Sequence, residues 1–270
     1  KLAGGDGYYA VPIPGEEHEV YSNLQGGVIF HVDTRYGNIR NIHPYPKIIG
    51  SAGDAIFDHK YRFNWDSPIH VSPNDPNTVY FGGNVLFRST DRGYTWEEIS
   101  PDLTTNDKSK QQSSGGEIYS DNTAAEFHCT ILAIAESPLD KNVIWVGTDD
   151  GNIQLTKDGG KTWTKLNDKI PGLPAFSWIS KIDASVHTPG TAFIAVDQHR
   201  LDDFKPYIFI TTDFGETWTK AVNGLPEDDY VRVVRQNPNN PNFLVAGMET
   251  AIYGSWDYGK NWVKMNNNLP

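Results

Sequence analysis

Ser89-Thr90-Asp91-Arg92-Gly93-Tyr94-Thr95-Trp96 is the stretch that decides the fold, because its pattern returns three more times. The pattern is Ser or Thr, x, Asp, x, Gly, x, Thr or Asn, Trp, and the other copies are Thr156–Trp163, Thr211–Trp218 and Ser255–Trp262. Each copy follows a short apolar run and precedes an alternating one. Apolar runs around a turn that contains Gly are typical of hairpins, so each copy predicts a strand, a tight turn and a strand.

The residue types of this motif favour a structural role in the turn. An Asp at the start of a turn accepts hydrogen bonds from backbone N–H groups further on, and Gly supplies a positive φ. The Trp begins the next strand, where its ring can pack over the hairpin. We therefore predict that the recurrent positions stabilise the turns: Ser89, Asp91, Gly93, Trp96, Thr156, Asp158, Gly160, Trp163, Thr211, Asp213, Gly215, Trp218, Ser255, Asp257, Gly259 and Trp262.

Alignment on these turns shows five repeating units of four short strands each. The first unit is degenerate, since its turn Asp33–Gly37 has two residues more between Asp and Gly and is not followed by Trp. The units occupy approximately residues 8–42, 69–99, 130–166, 178–221 and 231–265.

Repeated four-stranded antiparallel units predict an all-β fold, a β-propeller whose units are its blades. We expect residues 1–270 to form a single propeller region. Either the five blades close by themselves or they belong to a larger ring of seven or more. An open arc of five would expose two apolar blade faces. In the second case the chain would be a fragment of a longer one, with the missing blades supplied by the rest of its own chain or by another subunit.

Composition excludes several classes of partner and site. The formal net charge is −11 and the pI is near 5.1, which argues against nucleic acid as a partner. Cys129 is the single cysteine, so we expect a buried core residue on a strand and no disulfide. No apolar stretch reaches the ~20 residues of a transmembrane helix.

Loop lengths predict where a ligand would bind. The motif turns lie on one rim of a propeller, whereas the long insertions 43–67 and 100–128 lie on the opposite rim. Residues near the central channel on that rim combine aromatic rings with carboxylates, as a sugar- or peptide-binding surface does. The ligand-binding candidates are Trp65, Asp66, His128, Asp149, Asp150, Trp178, His199, Arg200 and Glu249.

No catalytic residue is assigned, although Asp66, Asp149 and Asp197 are weak candidates. A glycosidase needs two carboxylates roughly 5 to 10 Å apart, one of them with a raised pKa. These aspartates fall on the same rim, but no local motif singles out a pair. The eight arginines are scattered along the chain, which disfavours a sialidase.

We predict neither a metal site nor a cofactor. His128, Asp149 and His199 could converge, but their spacing matches no metal motif, and structural histidines are commoner. Asp149-Asp150-Gly151-Asn152 is similar to the start of a calcium loop yet lacks the distal Glu. We interpret it as a turn with Gly151 at a positive φ.

The repeated motif resembles the Asp-box, or BNR repeat, of sialidases, sortilin-type (VPS10-like) domains and xyloglucanase-like glycoside hydrolases. The likeness extends to bacterial repeat proteins often labelled glycosyl hydrolases, through Gly4–Gly7, Arg62–Ile69, Trp145–Gly151 and Asp202–Tyr207. The resemblance implies an extracytoplasmic location. It is compatible with a non-catalytic platform that binds a protein or glycan through the long-loop rim or the blade faces. The alternative is part of a glycoside hydrolase with paired carboxylates on that rim.

Overall fold

The computed structural model describes residues 2, 6–45, 56–113, 115, 118 and 127–265. It divides the chain into two compact units, Lys1–Ile134 and Ala135–Pro270. Gly4 and Gly5 of the resemblance, and parts of both long insertions, lie outside the described residues.

Five antiparallel sheets of four strands each make up the structure and confirm the predicted all-β fold. In every sheet the strands pair in sequence order, and we call the sheets blades 1 to 5. Blade 1 consists of β1 (Gly7–Pro12), β2 (Glu19–Leu24), β3 (Val28–Asp33) and β4 (Asn38–Asn41). Blade 2 consists of β5 (Ile69–Val71), β6 (Val79–Gly82), β7 (Leu86–Ser89) and β8 (Glu97–Glu98).

The remaining blades follow the same plan. Blade 3 consists of β9 (Ile131–Ser137), β10 (Asp140–Thr148), β11 (Ile153–Thr156) and β12 (Thr164–Lys165). Blade 4 consists of β13 (Trp178–Ala184), β14 (Ala192–Asp197), β15 (Tyr207–Thr211) and β16 (Thr219–Lys220). Blade 5 consists of β17 (Val231–Asn237), β18 (Asn240–Met248), β19 (Ile252–Ser255) and β20 (Val263–Lys264). Short 3₁₀ turns cover Gln25–Gly27, Ile56–Asp58, Lys108–Lys110, Asn167–Lys169 and His199–Leu201.

The fourth strands of blades 2 to 5 are shorter than the sequence predicts. The sequence predicts a fourth strand over Thr95–Ile99 in blade 2, for example, and the strand covers only Glu97–Glu98. The Thr95 N–H donates to the Asp91 carboxylate at 2.8 Å instead of joining the sheet. The residues that would begin each fourth strand therefore belong to the motif turn. Cys129 is fully buried as predicted, but it precedes β9 at a φ of 64° and does not lie on the strand.

Each of the two compact units has its own apolar core. In the first unit the buried Phe63 ring stacks on Phe81 and Phe87, with centroid distances of 5.7 and 6.0 Å. In the second unit, buried side chains of blades 4 and 5, such as Phe193 and Leu244, form a common cluster. Blades within a unit therefore pack through apolar faces, which is what the alternating strands dictate.

Candidate functional site

The motif turns share one hydrogen-bond network, seen clearly in blade 4. The Thr211 hydroxyl donates to Asp213 Oδ1 at 2.9 Å and accepts the Gly215 N–H at 3.0 Å. Asp213 also accepts from the N–H and the hydroxyl of Thr217, at 2.9 and 2.6 Å. The turns at Asp91, Asp158 and Asp257 repeat this arrangement.

These hydrogen bonds keep the motif aspartates ionised. Donors four residues further along the chain, both backbone and side chain, lower the pKa of Asp91, Asp158 and Asp257 to about 2. A carboxylate that already accepts several hydrogen bonds is a poor general acid. The geometry supports the structural role that we predict for these residues.

Each motif turn docks where the second strand of its own blade begins. The residue between Asp and Gly donates its N–H to the loop before that strand or to the first residues of the strand, as Phe214 does to the Gly190 carbonyl at 2.9 Å and Tyr258 to the Asn242 carbonyl at 2.9 Å. The motif turns therefore lie at the same edge of each blade as the loop between its first two strands. We call this the Asp-box edge and the other the long-loop edge.

The motif glycine also brings neighbouring blades together. Gly215 has a φ of 79°, and a Cβ on it would lie 2.6 Å from the buried Leu166 side chain at the end of blade 3. Gly93 meets Ile42 of blade 1 in the same way, at 2.5 Å. Gly is therefore required at this position for two reasons, the positive φ of the backbone and the close approach of the preceding blade.

At the long-loop edge of the first unit, the predicted residues are half-buried and built into the loops. Trp65 donates its indole N–H to the Asp6 carbonyl at 3.1 Å, and the Asp66 N–H points to Asn64 Oδ1 at 3.3 Å. His128 lies two residues before Thr130, whose hydroxyl accepts from Asn64 Nδ2 at 3.3 Å. Trp65 and His128 are thus carried by two segments that Asn64 ties together.

Arg62 fastens the two long insertions of this unit. Its guanidinium is 4% exposed and donates to Asp102 at 2.6 Å and to the Cys129 carbonyl at 3.2 Å. Its backbone N–H donates to Asn84 Oδ1 at 2.9 Å. The ion pair of Arg62 with Asp102 therefore ties the described parts of the two insertions together.

Asp149 and Asp150 lie in the buried turn between β10 and β11, where they are 2% and 4% exposed. The Thr148 hydroxyl donates to Asp150 Oδ1 at 2.5 Å, and Gly151 has the predicted positive φ, at 96°. This turn is closed on itself, so a ligand could reach the two carboxylates only if the turn opened.

In the second unit the structure brings Asp197, His199 and Glu249 together through Arg232. The buried Asp197 carboxylate accepts from His199 Nδ1 at 2.6 Å and from Arg232 at 3.2 Å. Arg232 also donates to Glu249 at 2.8 Å and to the Tyr230 hydroxyl at 2.8 Å. The hydrogen bond from Arg232 lowers the pKa of Glu249.

Aromatic rings frame this cluster. The His199 ring stacks on Tyr230 with centroids 4.6 Å apart, and Phe204 meets Tyr230 edge-on at 6.1 Å. Nearby in blade 4, the Arg200 guanidinium lies 4.0 Å from the centre of the Trp178 ring, and Trp178 pairs with Asp197 across β13 and β14. Five of the predicted residues thus share one end of blades 4 and 5: Trp178, Asp197, His199, Arg200 and Glu249.

Sequence analysis missed Arg232, which holds the cluster together. The register of β17 against β18 shifts between Val231 and Val233, and that of β13 against β14 shifts between Ile179 and Lys181. Arg232 and Ser180 occupy these two bulges, and the Ser180 hydroxyl donates to the Arg232 carbonyl at 3.0 Å. A bulge redirects a side chain and is frequent beside functional sites. A charged residue between two valines in a first strand was the available signal.

Within the described part of the chain, no group of three or more His, Cys, Asp or Glu side chains is arranged to hold a metal ion. The same residues include no helix that is long and apolar enough to cross a membrane. The predictions of no metal and no cofactor stay predictions.

Comparisons with known proteins identify the repeat. A model of the BNR-Asp box repeat matches residues 86–99, and a model of the BNR/Asp-box repeat matches residues 209–220. These segments contain the motif turns of blades 2 and 4. The prediction of Asp-box repeats is confirmed.

Two sequence relatives point in different functional directions. The chain is 28% identical over 205 residues to xyloglucanase Xgh74A of Acetivibrio thermocellus, a match that covers 64% of this chain and 22% of the xyloglucanase. It is 24% identical over 205 residues to the photosystem II assembly lipoprotein Ycf48 of a Synechococcus species, which covers 74% of this chain and 49% of Ycf48. The chain therefore corresponds to about a fifth of the first relative and half of the second.

The fold is that of solved propellers. The crystal structure of the GH74 xyloglucanase from Xanthomonas campestris matches with a TM-score of 0.64 at 15% identity, over 96% of this chain and 38% of that enzyme. At this identity the likeness shows the fold alone. Taken with the repeat models and the five four-stranded sheets, it shows that this chain is an Asp-box repeat protein built of β-propeller blades.

Proposed function

We propose that the chain is a non-catalytic propeller platform that binds a protein or glycan partner at the long-loop edge of blades 4 and 5. The observation that carries this proposal is the bulge that directs Arg232 onto Asp197 and Glu249. The resulting surface presents the His199 and Trp178 rings beside the Arg232 and Arg200 guanidinium groups, with the buried Tyr230 ring stacked against His199. Flat rings with polar groups at their rims suit recognition of a sugar face or a peptide.

The state of the carboxylates favours binding over hydrolysis. A glycosidase pairs an ionised carboxylate with a protonated one whose pKa is raised. Asp197 has one oxygen bonded to His199 and the other to Arg232. Glu249 has its pKa lowered by Arg232, so it does not hold a proton near neutral pH. The cluster therefore does not offer the protonated carboxyl group that a glycosidase uses as its general acid.

The alternative function is part of a glycoside hydrolase, and the similarity to xyloglucanase Xgh74A favours it. Its candidate carboxylates are Asp66, Asp149 and Asp197, each of which belongs to the long-loop edge of its own blade. Catalysis by Asp149 would require the turn that buries it to open. Such a hydrolase would also need a partner segment to complete its cleft.

The experiment measures binding and hydrolysis on the same samples. The purified chain is titrated with xyloglucan oligosaccharides and other neutral glycans, and reducing-end release is assayed in parallel. The platform proposal predicts saturable binding that is lost in Trp178→Ala, kept in Tyr36→Ala, which removes an exposed ring of blade 1, and accompanied by no product. Product that disappears in Asp66→Ala or Asp149→Ala would establish the hydrolase instead.

If no glycan binds, the same variants identify a protein partner. A stoichiometric protein that co-purifies with the wild-type chain and with Tyr36→Ala, but not with Trp178→Ala, supports the platform. A partner that all three chains retain equally would place the binding surface elsewhere and refute the proposed edge.

The setting of this platform is part of the proposal. We propose an extracytoplasmic location, supported by the name of the lipoprotein relative. We also propose that further blades, from the rest of its own chain or from another subunit, complete a single ring of seven or more. The exposed Trp256 ring on Phe243, at the outer face of blade 5, supports this, because such faces pack against a neighbouring blade.

A further inference from the structure

The Asp-box edge of blades 4 and 5 contains a groove of about 400 Å³, at the other end of the strands from the residues proposed above. Its floor is apolar, with Ile210, Ala221 and Val222. Its walls carry hydroxyl and amide groups and one ammonium group: Thr212, Thr217, Thr219, Asn223, Tyr258 and Lys260. A volume of this size is within the range of small-molecule sites.

The internal repeat shows how this position varies. Lys260 occupies the sixth position of its motif turn, where blades 2, 3 and 4 have Tyr94, Lys161 and Glu216. Tyr94 and Glu216 are largely exposed, but each contacts a cation of the preceding repeat: Arg40 lies 3.4 Å from the centre of the Tyr94 ring, and Lys169 pairs with Glu216 at 2.7 Å. Lys260 makes no ion pair within the described residues, so its ammonium is available to a ligand.

The groove carries a positive charge. Lys260 supplies its cation, and no Asp or Glu lines it. The aspartates of the two adjoining turns direct their oxygens inward, Asp213 to Thr217 at 2.6 Å and Asp257 to the Asn261 amide at 2.7 Å. A positive groove without carboxylates contrasts with a chain whose net charge is −11. Such a contrast attracts an anion selectively.

Hydrogen-bond donors complete the site. The hydroxyls of Thr212 and Thr219 line the groove and make no hydrogen bond within the described chain. The Lys220 ammonium does not reach the groove. Lys220 pairs with Phe209, so its side chain lies on the face of blade 4 opposite Ile210 and Thr219, 4.4 Å from the centre of the Tyr207 ring. Hydroxyls and ammonium groups bind oxyanions through charge-assisted hydrogen bonds. We propose that this groove binds a small molecule with an oxyanion group, a carboxylate, sulfate or phosphate, with Lys260 as the cation and the apolar floor under its carbon body.

The test is calorimetric titration at low ionic strength with three probes: inorganic sulfate, glucuronate and neutral glucose. We expect saturable binding of sulfate or glucuronate and none of glucose. Sulfate alone would identify a simple anion site, whereas much tighter binding of glucuronate would show that the floor contacts the sugar ring. Absence of saturable binding by both anions refutes the proposal.

Matched variants separate the groove from general surface charge. Lys260→Ala should weaken binding about tenfold, which corresponds to ~1.4 kcal/mol. Lys161→Ala removes the same charge at the equivalent position of blade 3, and Lys220→Ala removes an ammonium on the other face of blade 4, so both should leave affinity unchanged. Equal losses in all three variants would mean non-specific attraction and overturn the assignment. Far-UV circular dichroism checks that each variant folds.

Discussion

Replacement of Gly215 by Ala tests whether the Asp-box motif joins neighbouring blades. The substitution keeps the N–H that donates to Thr211 at 3.0 Å, so the turn network itself is unchanged. An alanine at this position would keep the φ of 79°, and its Cβ would lie 2.6 Å from Leu166 Cδ1, 3.3 Å from Cδ2 and 3.4 Å from Cγ. Two separate costs therefore arise, one in the backbone and one between blades.

The two costs have different sizes. An L-residue in the left-handed region loses about 1 to 2 kcal/mol relative to Gly. Leu166 is 1% exposed, so it has little room to move away, and overpacking of a buried site costs about 1 to 3 kcal/mol. We expect Gly215→Ala to lower the free energy of unfolding by about 2 to 5 kcal/mol.

Gly172→Ala supplies the matched control. Gly172 has a φ of 76°, and no atom lies within 4 Å of its added Cβ, so it carries the backbone cost alone. Urea unfolding followed by tryptophan fluorescence measures both variants against the wild type. The difference between them, about 1 to 3 kcal/mol, is the cost of the contact with Leu166.

A double mutant identifies the partner. In Gly215→Ala with Leu166→Ala, the steric conflict disappears, so the combined loss should be smaller than the sum of the single losses by about 1 to 3 kcal/mol. Equal destabilisation by Gly215→Ala and Gly172→Ala, together with additive losses, would refute the idea that this glycine joins the blades. The glycine would then serve the turn alone.

Three further changes test other parts of the structure. Asp158→Ala removes the acceptor of two Thr162 donors, so the midpoint of thermal unfolding should fall while partner binding stays intact; loss of binding without loss of stability would contradict the structural role. Arg232→Met leaves the buried Asp197 without its cation, and calorimetry should show partner affinity reduced at least about tenfold, with ~1 to 2 kcal/mol lost from stability because the arginine is half exposed. Burial lowers the pKa of His43 from 6.5 to about 4, so the unfolded chain binds more protons and stability should fall as the pH drops from about 6.5 towards 4. Urea titrations at several pH values should show a flatter profile for His43→Phe, and an unchanged profile would assign the pH dependence to other groups.

Sequence reasoning predicted the sheets because the Asp-box turn is local. Every partner of Asp91 lies within four residues of it, so the pattern alone defines the turn and the two strands that it joins. The shortened fourth strands were missed for the same reason. Periodicity counts Thr95 as a strand residue, whereas its hydrogen bonds belong to the turn.

The candidate site was only partly predictable, because its contacts are long-range. Loop lengths placed Asp197 and Glu249 at the same edge, but their connection through Arg232 depends on a bulge, and one inserted residue in a register leaves little trace in a sequence. The burial of Asp149 was also hidden, since a turn that closes on its own side chains has the same composition as an exposed acidic loop.

Departures from the repeat are the best guide to function in this chain. Positions that shape the turn recur from blade to blade because every turn needs the same hydrogen bonds and the same positive-φ glycine. The sixth motif position is not fixed: Tyr94 lies beside Arg40, Glu216 pairs with Lys169, and Lys260 lines a groove. Likewise Arg232 occupies a bulge whose counterpart in blade 4 holds Ser180. Since a ring of equivalent blades offers equivalent surfaces, a specific partner can be recognised only where the blades differ, and both proposed sites lie at such differences between blades 4 and 5.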